Sequence, residues 1–312
     1  MGKAGAARQD GDRRARIAAQ RAADQHARSR NRVLLAGGAI VVVVAVAGAL
    51  VVFHGSGGSS APAAGGAGAG PTGAGPTGAS LTQIIGQVTT VPAATLDQVG
   101  AGQTSANPAS ISGTALTGSG KPEMLYMGAE YCPYCAAERW AMISALSRFG
   151  TFTGLAAVRS AARNGAGSAE PYPSTPTWTF AKATYSSSYL TFTPVEMNTS
   201  IPDKATGGYT ALQAPTAAQQ ALIDKYDAAY QGAIPFIDYG NKYLSVGASY
   251  DPSVLKGLAW AQIAADLHDP ASPVAKAVLG TANYMTAAIC DLTSDQPATA
   301  CTATVTALQA KI

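Results

Sequence analysis

From Val33 to Leu96 the chain carries no charged side chain, and only 12% of its 312 residues are Asp, Glu, Lys or Arg. An ordinary soluble protein has about 25%. Histidine is scarcer still: there are three, and only His268 lies beyond residue 54. Little material is left for histidine-assisted thiol hydrolysis, which needs an imidazole beside its cysteine. Cysteine is limited to four copies, Cys132, Cys135, Cys290 and Cys301. A zinc site would need all four as ligands, and C-x-x-C combined with C-x10-C is not a usual zinc spacing. Covalent haem attachment needs histidine directly after the second cysteine, and position 136 is Ala. Neither a metal nor a cofactor is expected.

The charges that are present are unevenly placed. Residues 1–33 hold nine basic and three acidic groups, a net +6, against +3 for the whole chain, so the rest sums to −3. Alone, such an arm suggests nucleic acid, but the segment after it supplies a better reading. LLAGGAIVVVVAVAGALVVF, residues 34–53, is 20 residues without a charge. At 1.5 Å per residue it spans about 30 Å, the thickness of a bilayer's hydrocarbon core. The arginines before it and the charge-free stretch after it put the N-terminus in the cytoplasm by the positive-inside rule. A cleaved signal peptide would have a shorter apolar region and a shorter basic lead. The expected organisation is a basic cytoplasmic arm (1–33), a single transmembrane anchor in the cell membrane (34–53), a Gly/Ala/Pro-rich linker (54–80) and an extracytoplasmic domain (81–312). The linker, with GAGPTGAGPTGA at its heart, lacks the apolar side chains that packing requires. No nucleic-acid partner is expected.

All four cysteines then lie where disulfides persist. EYCPYC, residues 130–135, follows the apolar run Met124–Glu130 and precedes a helical stretch from Ala136 to Phe149. The pattern predicts strand, C-x-x-C, helix, with Leu155–Ser160 as the following strand. Pro133 suits a first helical position, where its missing N–H costs nothing. Cys132 then sits at the helix start, where free N–H groups and the positive end of the helix dipole favour thiolate. It is the expected nucleophile, and Cys135, one turn on, the resolving thiol. Glu130, Pro133 and Tyr134 are the neighbours expected to tune the pair, with Glu130 opposing thiolate formation or accepting a proton. A C-x-x-C bridge closes too tight a loop to be a useful staple. Cys290 and Cys301 close a longer loop between two helical segments, Thr281–Cys290 and Thr299–Ala310, and read as a structural disulfide. A second exchange pair relaying electrons is the sharper alternative.

Further on, GAIPFIDYGNKYLSVG, residues 232–247, holds two short apolar strands around Gly240-Asn241, a two-residue hairpin signal. Pro235 opens the first strand. A strand–CxxC–helix unit followed by a proline-led hairpin and a helix resembles the thioredoxin fold. The C-P-Y-C sequence is similar to that of glutaredoxins. GAEYCPYCAAERWAMISALSRFGTF together with GAIPFIDYGNKYLSVGASY resembles the membrane-anchored prokaryotic family catalogued as domain of unknown function 929, over roughly residues 81–305. The thioredoxin resemblance implies that Pro235 is a cis-proline packed against the CxxC, with Ile234 beside it offering backbone to an extended substrate.

The expected fold class is therefore α/β: a thioredoxin-like fold with a β-containing insertion at about 161–231 and extra C-terminal helices. Within the insertion, Thr177–Thr184 and Tyr189–Glu196 read as strands and Pro215–Tyr226 as a helix. Trp178, Phe180, Tyr185, Tyr189 and Phe192 read as strand-face core before they read as a binding surface. The expected function is a membrane-anchored thiol–disulfide oxidoreductase acting on protein thiols and disulfides, with a membrane redox partner. The alternative is a non-catalytic binding module of the same fold.

Overall fold

The computed structural model describes residues 75–226, 230 and 232–312. The basic arm, the anchor segment 34–53 and most of the linker lie outside the described residues. Among the described residues no helix is long and apolar enough to cross a membrane.

The described residues begin with two short helices, α1 (Gly78–Thr89) and α2 (Ala93–Val99), so the last linker residues already belong to a helix. Two-residue strands β1 (Ala109–Ser110) and β2 (Thr117–Gly118) lead into β3 (Lys121–Gly128), which runs directly into α3 (Pro133–Leu146). Next come β4 (Gly150–Thr153), β5 (Ala156–Arg159), β6 (Pro176–Thr179), β7 (Thr184–Ser187), β8 (Thr191–Glu196), β9 (Asn198–Pro202) and β10 (Tyr209–Ala211). Helix α4 (Ala217–Tyr226) precedes the hairpin β11 (Phe236–Tyr239) and β12 (Tyr243–Val246). A 3₁₀ turn at Pro252–Leu255 and helices α5 (Trp260–Asp266), α6 (Pro273–Leu292) and α7 (Ala303–Gln309) complete the chain.

The main sheet has the order β1-β12-β11-β3, with β8 and β2 sharing the far edge of β3. β3 and β8 are parallel, with Met124 opposite Phe192 and Met127 opposite Val195. β11 is antiparallel to both β3 and β12. This differs from expectation in one respect. The segment 155–160 does form a strand, β5, but it pairs antiparallel with β6 and stays out of the main sheet. The parallel partner of β3 is β8, so part of the stretch expected as an insertion is a core strand.

Side chains alternate along β3 as a pleat requires. Met124 and Tyr126 join the large core shared with α3 and α6, while Leu125 and Met127 join a smaller one with Phe236, Leu244 and Val246. α4 covers the smaller core through Leu222, Ile223 and Tyr226. α3 packs against α6 and β6, and every residue in it but Tyr134 is buried. Of the insertion aromatics, Trp178, Phe180 and Phe192 are buried and Tyr185 and Tyr189 pack against them, which is the core reading. The hairpin turns at Gly240 (φ 65°) and Asn241 (φ 57°), the positive angles that a two-residue turn matching the strand twist needs at both positions.

Asp238 Oδ1 accepts the Asn241 N–H at 2.6 Å and clasps that turn. Its Oδ2 makes no hydrogen bond among the described residues, and burial holds the carboxyl up at about 6. The folded state then keeps a proton that the unfolded chain has already released. Stability from this group is complete below about pH 4 and is lost as the pH rises through about 6. A loss of roughly 1–3 kcal/mol over that window is expected. Urea midpoints at stepped pH should fall for the wild type and stay flatter for Asp238→Asn.

Candidate functional site

β3 ends at Gly128, and four residues later Cys132 caps α3. Pro133 holds the first helical position, and Cys132 Sγ accepts the Cys135 N–H at 3.3 Å. The same sulfur donates to the Ile234 carbonyl at 3.7 Å. The fold thus brings together Cys132, Cys135, Ile234 and Pro235 across about a hundred residues of sequence. The Ile234–Pro235 peptide bond is cis. Cys132 and Cys135 are unbridged, and both are buried. Cys290 and Cys301 form a disulfide, Cα–Cα 5.7 Å, tying the end of α6 to the lead into α7.

The loop between strand and helix is held from several sides. Ala129 O accepts the Cys132 N–H, Glu130 N–H donates to Asn198 O in β9, and Tyr131 O accepts the Ala161 N–H. Tyr131 stacks on Tyr209 of β10 at 3.9 Å between ring centroids. The Tyr209 hydroxyl donates to Glu170 Oε1. Burial, with that carboxylate beside it, pushes the phenol well above its ordinary value. Tyr134 meets Tyr172 edge to face at 5.8 Å. The segment that the sequence marks as an insertion therefore builds a collar of aromatic rings around the dithiol.

Below the dithiol lies a buried ion pair that the motif gives no hint of. Arg139, one turn beyond Cys135, donates from Nε to Glu196 Oε1 at 2.9 Å and from Nη2 to Glu196 Oε2 at 2.6 Å. Nη2 also donates to Ala129 O at 2.7 Å, in the loop between β3 and α3. Both side chains are fully excluded from solvent. Burial works against the charge on Arg139, but Glu196, with Tyr126 and Cys135 behind it, more than offsets this and raises its pKa. In a chain so poor in charge, the Glu138-Arg139 step in an otherwise uncharged helix and the Glu closing β8 are the available signals. Tyr172 and Tyr209 carry none.

These surroundings correct the expectation that Cys132 is poised as thiolate. Burial pushes its thiol well above the usual value, the Cys135 side chain adds to this, and the Cys135 N–H and the Arg139 charge only partly oppose it. The helix start does act on the sulfur, but desolvation is the larger effect. Glu130 enters the site through its backbone N–H, which holds the loop to β9.

The protein family described as Domain of unknown function (DUF929) matches residues 107–291. This chain belongs to the DUF929 family. No curated protein and no solved structure matches it. The DUF929 match opens just before β1 and closes at the end of α6, so it takes in the dithiol, the Arg139–Glu196 pair and Pro235. It stops short of Cys301 and α7, which places one half of the disulfide outside the matched region.

Proposed function

We propose that this protein is a thiol–disulfide oxidoreductase of the extracytoplasmic face, anchored by residues 34–53 and acting on protein disulfides through Cys132 and Cys135. One observation carries the reading. Two unbridged thiols three residues apart sit at the start of a helix, and the outer one lies 3.7 Å from the carbonyl of a distant proline-led loop. Sheet order and direction support a thioredoxin-like core: β8 and β3 parallel, β11 and β12 antiparallel, with the CxxC helix α3 and then α6 packed on one face. The arrangement provides a nucleophile, a resolving thiol behind it and the Ile234 backbone beside them, and no other group in the site calls for different chemistry.

Burial bears on direction. A strong disulfide oxidant depends on a stabilised reduced form. Here burial works against that stabilisation by pushing the Cys132 thiol up. The reading therefore favours electron donation from the dithiol to a client disulfide.

The test is a trap. In the full-length chain, Cys135→Ser should accumulate mixed disulfides through Cys132 that a reductant releases. Cys132→Ser/Cys135→Ser should accumulate none. A folded Cys135→Ser protein that captures nothing would instead favour a binding module with an inert thiol pair.

A further inference from the structure

Two hydrogen-bond donors beside the dithiol have nothing to donate to. Tyr126 lies on β3 and is fully buried, and its hydroxyl makes no hydrogen bond among the described residues. Nη1 of Arg139 is in the same condition, although Nε and Nη2 are fully used. A buried donor without a partner costs about 1–3 kcal/mol, so two in one cluster is an expensive arrangement for a purely structural core.

The two donors and the thiols share one space. The Arg139 guanidinium stands 5.8 Å from the centre of the Tyr126 ring. Gly128 separates Tyr126 from Cys135: a methyl group there would overlap the Tyr126 hydroxyl and stand 3.1 Å from Cys135 Sγ. The hydroxyl and the inner sulfur thus border the same gap, which only glycine leaves open. The charged and titratable groups around the hydroxyl are Arg139, Cys135, Glu196 and Cys132. On its other side the ring meets the edge of Phe180 at 5.5 Å.

We infer that Tyr126 and the free Nη1 of Arg139 are positioning donors for the resolving thiol, receiving the negative charge that forms on Cys135 Sγ as it attacks a mixed disulfide. The inference rests on the redox reading above. In that step Cys135 loses its proton and its sulfur bonds to Cys132 Sγ. The bond from Cys132 to the client sulfur breaks, and the client sulfur leaves as thiolate and takes up a proton. Over the whole exchange two electrons pass from the dithiol to the client disulfide. Both donors carry the cost of having no partner at rest, and they acquire one when charge appears on Cys135 Sγ.

The reduced full-length chain can be mixed with dithiobis(nitrobenzoate), which releases one coloured thiolate when Cys132 attacks and a second when Cys135 resolves. Tyr126→Phe keeps the ring and removes the hydroxyl. Its first phase should be unchanged and its second slowed roughly tenfold to a hundredfold, the range of a hydrogen bond to a charged group. Its unfolding midpoint should hold or rise, because the lost hydroxyl had no partner. An unchanged second phase would overturn the inference and leave the redox reading standing. Equal slowing of both phases with a lowered midpoint, or failure to fold, would make Tyr126 structural and also overturn it. A wild type that releases no second thiolate would overturn both.

Discussion

Glu196→Ala is expected to lower the free energy of unfolding by roughly 3–5 kcal/mol, the cost of stranding a buried charge. Three contacts fail together. Arg139 loses both hydrogen bonds to the carboxylate, and the Phe180 N–H loses the oxygen that accepts it at 3.2 Å. The guanidinium cannot swing out to water, because its helix is buried on nearly every side. Denaturant midpoints should shift without a change in slope. The double variant Arg139→Met/Glu196→Leu should recover much of the loss, since replacing both partners by apolar groups removes the stranded charge. A single variant costing under about 1 kcal/mol would mean that water reaches the pair.

Removing the bridge by Cys290→Ala/Cys301→Ala should cost about 3 kcal/mol, from a bond spanning 11 residues of sequence. For a domain of this size that is a drop of roughly 6–12 °C in melting temperature. The bridge closes a region held by other contacts as well. Arg148 donates to Ala300 O at 2.6 Å, and Thr302 donates to Asp97 at 2.9 Å. The local structure should therefore persist while its unfolded competitor gains freedom. The Cys132–Cys135 exchange should survive in this variant. Loss of exchange with folding intact would revive the idea that the second pair relays electrons.

Much of the site was legible because its chemistry depends on local order. EYCPYC places Cys132 at a helix cap whatever the rest of the chain does, and Gly240-Asn241 forces a hairpin, but only the thioredoxin resemblance put Pro235 beside the dithiol. The parallel partner of β3 was not legible. Leu155–Ser160 and Thr191–Glu196 are both short β-prone runs, and local propensity does not say which one crosses over to the sheet. α3 was legible as a helix but not as a fully buried one. Glu138 and Arg139 are the charged residues of that helix, yet Glu138 accepts from Ser249 and Arg139 is held by Glu196, so neither marks a solvent face. The collar was invisible because Tyr131 meets Tyr209, and Tyr134 meets Tyr172, only after loops far apart in sequence are folded. The thiolate expectation for Cys132 failed because cap position is a local property, whereas desolvation depends on everything packed above it.

The placement of β8 has a consequence for dissection of the protein. Segment 161–231 looked detachable, yet it delivers the strand beside β3, the carboxylate that neutralises Arg139 and the backbone carbonyl that pins Glu130. Cutting it back to a minimal dithiol unit would take out one edge of the central sheet together with the counter-charge beneath the cysteines. One piece of chain supplies Tyr172 and Tyr209 of the collar and a strand of the core, so access to the dithiol and fold integrity must change together when that piece is altered.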